Sequence, residues 1–221
     1  MSGLAPVDAL RSLPYPLLLA VLRRLEKERG PEAVAALRYD ALFWARPAQL
    51  INDLDNLATV EVFVGERRTG KTWAARHLFV ELVRTGRARL PRIVSATDAA
   101  IVEVVLDGES GIKTWLPPPR EGKYQWFKSD GYAGTLHLYG TKIVCCSAAA
   151  PGQAIGMSRD VTWADDPAGW VESCGVDIAT EAWTQVLKSN SQGQSTVIVA
   201  TTAAGAAFLA DLLSPEQLND P

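Results

Sequence analysis

The stretch VEVFVGERRTGKTWAARHLFVELVRTG, residues 60–86, restricts the fold more than any other. Val60–Val64 is a short, nearly continuous apolar run, the pattern of a strand buried on both faces of a parallel sheet. Gly65–Thr72 follows as a glycine, four varied residues and Gly-Lys-Thr. A helical pattern then runs to a stop at Gly86. In that order, backbone N–H groups of the loop and of the helix N-terminus point at one anion. Gly65, Glu66, Arg67, Arg68, Thr69, Gly70, Lys71 and Thr72 are therefore expected to cradle a triphosphate. Lys71 supplies a point charge to the β and γ phosphates and Thr72 a hydroxyl to Mg²⁺. ATP and Mg²⁺ are the expected cofactors. The flanking strand and helix leave little weight to a chance match in a glycine turn.

The rest of the chain alternates strands with helices, which indicates an α/β sheet. RIVSA (92–96) reads as a second strand, and DAAIVEVVLDG as a helix with Asp98 at its N-cap. KYQWFKSDGYAGTLHLYGTKIVCCSA reads as two or three strands with at least one antiparallel pair. DVTWADD is a strand ending in acids, IATEAWTQVLKSN a helix, and STVIVATTAAG a last strand with hydroxyls at its C-terminal end. The expected fold class is α/β, a P-loop NTPase with a mainly parallel central sheet flanked by helices. Residues 1–46 form a helical N-terminal segment, with one helix stopping at Gly30 and Pro31 opening the next. Residues 47–221 form the P-loop core.

A length of 221 residues allows a substantial core. A net charge of -3 gives no global positive field, so any nucleic-acid contact must be local. Cys145, Cys146 and Cys174 match no zinc spacing. The adjacent pair in KIVCCSA reads as small buried hydrophobes. An odd cysteine count without a secretory signal points to a reducing compartment. The longest apolar stretch near the N-terminus, Pro16–Leu22, is too short to span a membrane. His77 and His137 have no partners at metal-ligand spacing.

Hydrolysis of a triphosphate needs a second metal anchor and a carboxylate that orients water. VTWADDP offers both. Asp165 is expected to hold Mg²⁺ through water, and Asp166 to orient the attacking water. Asp-Asp-Pro is also good turn chemistry. Thr201 and Thr202 fall at the C-terminal edge of the sheet, where open parallel sheets bind ligands. Sensing of the γ phosphate and strand-end capping fit them equally. The aromatic and basic run Lys123–Lys128 suits nucleic-acid contacts, but such alternation is more often a half-exposed strand, the reading adopted here.

Together these segments resemble the ATPase domain of phage large terminase subunits, the DNA-packaging motors, in the branch of gene transfer agents and related tailed phages. That family's phrase FWAR-x-x-Q-L matches ALFWARPAQL at 41–50. Arg67 stands three residues before the glycine of Gly-Lys-Thr, and GESG stands at 108–111. MSRD at 157–160 and AGW at 168–170 flank the acids, and Thr201-Thr202 match the coupling motif. The likeness runs from about residue 41 to 213. Departures are Asp166 for Glu, Asp160 for a glycine after arginine, and Ala203-Ala204 where Pro-Arg is common.

The resemblance implies the additional-strand (ASCE) type of P-loop fold. It implies that Arg67 contacts the γ phosphate and stabilises charge in the transition state. It makes Gln49 the reader of adenine, Thr201 and Thr202 the coupling pair, and Arg159 a second arginine acting within or between subunits. From the residues alone, Gln49 is equally a helix-surface glutamine and Arg159 a partner for Asp160 or Asp165. Arg68 has no counterpart in the family and reads as solvated or facing a neighbouring subunit. The implied activity is an Mg-dependent ATPase that drives double-stranded DNA into a procapsid in the host cytoplasm. Its implied partners are a portal protein, a small terminase subunit and further copies in a homo-oligomeric ring, with a monomer in isolation and no membrane. Large terminases carry a nuclease domain after the ATPase. Asp211, Glu216 and Asp220 do not make a two-metal site, so no nuclease activity is expected. Two other readings stand beside this one. One is a helicase- or recombinase-like P-loop ATPase stimulated by single-stranded DNA. The other is a nucleotide-binding assembly module with little turnover.

Overall fold

The computed structural model describes residues 10, 13–39, 45, 49, 51, 53–116, 123–129, 131–155, 158–190 and 195–212. By its contacts the chain divides into two compact units, Met1–Leu50 and Ile51–Pro221. The first contains helices α1 (Tyr15–Arg29) and α2 (Pro31–Tyr39). Gly30 separates them at φ 86°, its N–H closing α1 on Glu26 O at 2.9 Å, and Pro31 opens α2. α1 buries no residue, and Leu18, Leu19, Leu22 and Leu25 make its half-buried stripe.

The second unit is built on seven strands. They are β1 (Val60–Val64), β2 (Arg92–Ser95), β3 (Tyr124–Ser129), β4 (Tyr132–Leu138), β5 (Thr141–Ser147), β6 (Val161–Asp165) and β7 (Thr196–Thr201). Their order across the sheet is β1-β7-β6-β2-β5-β4-β3. The first five of that order run parallel, and β5, β4 and β3 pair as an antiparallel meander. This is the mainly parallel α/β sheet expected, with β7 inserted between the loop strand β1 and the acid strand β6.

Helices cover both faces. α3 (Lys71–Arg84), α4 (Asp98–Ala100, continued by the π-helical Ile101–Leu106) and α5 (Ile112–Trp115) belong to one side. Phe79, Leu82, Ile101 and Trp163 are buried in its core. α6 (Pro167–Cys174), α7 (Val176–Ser189) and α8 (Ala203–Leu212) cover the other, around Val94, Trp170, Trp183 and Leu209. Burying a large apolar side chain contributes about 3 kcal/mol, so the three fully buried tryptophans 163, 170 and 183 anchor the sheet to its helices. Cys145 and Cys146 are buried, as the apolar run predicts.

Two expectations need correction. β1 is not buried on both faces: it is the sheet's edge among the described strands, and Val62 and Val64 are 40% and 54% exposed. A run of valines looks the same at an edge and in a centre, because strand order is set by distant pairing. The N-cap of α4 is Thr97, whose Oγ1 accepts from Ala100 N–H at 3.1 Å, and Asp98 is the first helical residue. Both residues cap well, and the hydroxyl one position earlier has the geometry. The Pro117–Pro119 loop lies outside the described residues. No helix among the described residues is long and apolar enough to cross a membrane.

Candidate functional site

Parallel pairing decides where three strand ends fall. Val64 pairs with Thr201 and Asp165 with Ala200, so loop, acids and threonines leave the sheet at one C-terminal edge. Gly65 N–H donates to Thr201 O at 3.1 Å, and Asp166 N–H to Ala200 O at 2.9 Å. The loop and the acids are thus both tied to the end of β7.

The loop turns on its own residues. Glu66 O accepts from Thr69 N–H at 3.3 Å and from Thr69 Oγ1 at 2.8 Å. Glycine at 65 makes room, since a Cβ there would overlap the Thr69 hydroxyl. Gly70 caps α3 at φ 83°, where a side chain is strained. Arg68 holds φ 66° despite its side chain. Lys71 and Thr72 sit half-buried at the positive end of the α3 dipole, while Glu66, Arg67 and Arg68 are exposed. One turn on, the buried Arg76 guanidinium lies 5.3 Å from the Trp73 ring and 5.0 Å from that of Trp115.

Asp165 is 5% exposed, and its Oδ1 has no hydrogen-bond partner. Burial pushes its carboxyl up to about 7; Asp166 pushes the same way, and the Lys71 ammonium pulls it down. An orphaned oxygen on a buried carboxylate is costly, and its chemistry suits a hard cation. No group of three or more His, Cys, Asp or Glu suited to a metal occurs among the described residues. Mg²⁺ fits such a place, since it takes one or two carboxylates and completes its shell with water and phosphate.

Asp166 stands at the N-cap of α6 at φ 47° and ψ 73° and makes no side-chain cap. A left-handed residue before proline is strained. Its carboxylate is kept off the turn: Thr201 Oγ1 donates to Asp166 Oδ1 over a long 3.4 Å. Thr201 is fully buried. Thr202 instead caps α8, its Oγ1 accepting from Gly205 N–H at 3.4 Å and its carbonyl from Ala206 N–H at 2.9 Å. The two readings of the threonine pair therefore divide: capping describes Thr202, and Thr201 faces the acid. Gly205, which sequence reading passes over, lies against Thr201; a glycine inside an alanine-rich helix start is its signal.

Arg159 and Asp160 are not brought to this edge. Arg159 precedes β6, so its backbone lies at the opposite, N-terminal edge, where its N–H donates to Ser189 O at 2.8 Å. Burial lowers its guanidinium below the ordinary value. Asp160 accepts from Arg89 N–H at 2.6 Å and Leu90 N–H at 2.9 Å. Gln49 belongs to the Met1–Leu50 unit, and the rest of the FWARPAQL phrase apart from Ala45 lies outside the described residues. GESG is a turn, with Gly111 N–H on Gly108 O at 2.8 Å and Trp115 Nε1 on Glu109 O at 2.9 Å. His77 stacks on Trp73 at 5.6 Å and His137 meets Phe127 at 5.2 Å. Glu216 and Asp220 lie outside the described residues.

No protein-family model matches the chain, and no curated protein matches it. Among solved structures, it is similar to the large terminase of a thermophilic bacteriophage, with 12% sequence identity and a TM-score of 0.44. The match covers 76% of this chain and 38% of that one.

Proposed function

We propose that this chain binds and hydrolyses ATP with Mg²⁺ at the C-terminal edge of its sheet, as the motor domain of a DNA-packaging machine of the large-terminase type. One observation carries the hydrolase reading. Gly65 and Asp166 are both bonded to the end of β7, and the neighbouring acid Asp165 has a buried oxygen with no partner. The packaging role rests on the set of sequence phrases that resemble terminases.

In this reading the loop N–H groups, the α3 dipole and Lys71 hold the β and γ phosphates. Asp165 and the Thr72 hydroxyl are the residues to hold Mg²⁺, which supplies charge neutralisation to the phosphates when bound. Asp166 orients the attacking water and takes its proton. Arg67, exposed on the loop, meets charge developing on the γ phosphate in this reading, as the resemblance implies. Gln49 reads the base, and Arg159, at the far edge, acts on a neighbouring copy in a ring. Double-stranded DNA, a portal protein and a small terminase subunit are the proposed partners.

The test is steady-state ATP hydrolysis with Mg²⁺, comparing the parent with Lys71→Ala and Asp166→Asn, with and without double-stranded DNA. Loss of turnover in both variants is expected, with stimulation by double-stranded DNA. An unaffected Lys71→Ala enzyme sinks the reading. A second reading, a nucleotide-binding assembly module, draws on the short Asp166 side chain and its bond to Thr201. ATP binding without turnover, even in assembled rings, selects it.

A further inference from the structure

The Asp166 carboxylate has one described hydrogen-bond donor, Thr201 Oγ1. That hydroxyl is held in a closed space. Thr201 is fully buried, and Gly205, one turn along the chain, lies against it. A Cβ at 205 would overlap Thr201 Oγ1 and would stand 3.0 Å from both Cβ and N of Ala168. Gly205 has an ordinary helical backbone, so the requirement is for space and not for an unusual φ. Ala168 lies two residues beyond Asp166 in the first turn of α6, so one glycine touches both the hydroxyl and the turn that carries the acid.

We infer that Gly205 is a positioning residue for Asp166, acting through the Thr201 hydroxyl, an inference that rests on the hydrolase reading above. A side chain at 205 turns the Thr201 hydroxyl away or lifts α8 from α6, and either movement takes the donor from the carboxylate. Bonds of this length in a ligand-free site shorten when the substrate is bound, so the seat matters most during turnover. α8 buries only Gly205 and Leu209, while Ala203, Ala204, Ala207 and Ala210 are exposed. Half-buried Phe208 and Leu212 pack against the same core, so α8 is seated by a few apolar contacts on one face. The position of α8 therefore sets whether Asp166 is aligned, and anything that pushes on its outer face is read at the acid.

The experiment measures ATP affinity, turnover at saturating ATP and melting temperature in Gly205→Ala, Thr201→Val, Thr201→Ser and the double variant Gly205→Ala/Thr201→Ala. Gly205→Ala and Thr201→Val are expected to lose about tenfold to a hundredfold in kcat, with ATP affinity within about threefold of the parent. Thr201→Ser keeps the hydroxyl and is expected to hold kcat within about threefold. The double variant removes the donor and the overlap with the Thr201 hydroxyl while the contacts with Ala168 stay, so its melting temperature recovers in part and its kcat does not. Parent kcat in Thr201→Val overturns the inference, and so does a double variant whose kcat recovers with its stability. If the parent hydrolyses ATP, Lys71→Ala does not and Thr201→Val still does, only this inference fails. A parent that binds ATP without turnover overturns the hydrolase reading and this inference with it.

Discussion

Strand β6 is bracketed by two aspartates that live in opposite conditions. Asp160, before the strand, accepts two backbone N–H groups at 2.6 and 2.9 Å from the chain that leads into β2. Asp165, at the strand's end, is buried with an oxygen that nothing in the described protein satisfies. The same side chain, five residues apart, serves as a closed structural bracket at one edge and as an open valence at the other. The N-terminal edge has other closed contacts, including Arg87 on Asp55 at 2.8 Å and Thr196 Oγ1 on Ala58 O at 3.1 Å. The C-terminal edge collects left-handed Arg68 and Asp166 and the unsatisfied acid. Such features are not confined to that edge: Arg92 Nε and Nη1, at the start of β2, also have no hydrogen-bond partner, and Tyr139, before β5, is left-handed at φ 51°.

The sharpest way to break this contrast is at the open edge. Lys71→Ala and Asp166→Asn are each expected to lower ATP turnover by about 10² to 10⁴, with a melting temperature close to the parent's. Large unfolding in either variant, seen by circular dichroism, would show that these residues hold the fold. Asp165 gives the next effect, through pH. Its folded-state carboxyl stands at about 7 against an ordinary 3.8, so the folded chain holds a proton that the unfolded chain releases. That contribution is full below about pH 4 and is lost as pH rises to about 7. Denaturant melts in chelator should therefore show the parent losing stability across that window relative to Asp165→Asn. Parallel curves for the two proteins would refute the contrast.

At the closed edge the expected order reverses. Asp160→Ala removes two bonds to a charged acceptor and should cost about 2 kcal/mol of stability, while leaving ATP affinity of the folded protein unchanged. A change in affinity without a change in stability would make Asp160 part of the site. The smallest effect belongs to Arg87→Ala. Its partner Asp55 has a side chain 79% exposed, and such a pair is worth at most about 0.5 kcal/mol. A loss of several degrees in melting temperature would mean that the surface pair does more than its exposure suggests.

Local chemistry was legible in the sequence, and distant pairing was not. The loop, its strand and its helix follow from glycine spacing and an apolar run, and the acids stand at the end of an apolar strand as the pattern VTWADD requires. The threonine pair could be placed at a strand end, yet not divided. Only the fold sets Thr201 beside an acid 35 positions away while Thr202 turns to cap α8. The edge position of β1 was hidden for the same reason, since the run VEVFV carries no record of its neighbours. Arg159 was placed by resemblance, and the strand register puts its backbone at the far edge. The π-helical stretch Ile101–Leu106 has no counterpart in the apolar period, which fits an α-helix as well.

The strand that carries the loop is bonded along one side only, to β7, among the described strands. Half a ladder makes it the parallel strand whose amides should exchange with solvent soonest. In the proposed reading a nucleotide gripping the loop adds to that half ladder, so its affinity and the persistence of β1 would measure one linked free energy. The same open side, on a strand whose Val62 and Val64 are exposed on one face, is a template for an added strand. At high concentration the first unwanted association of this protein is expected there, and saturating nucleotide should slow any such association that begins with β1 peeling from β7.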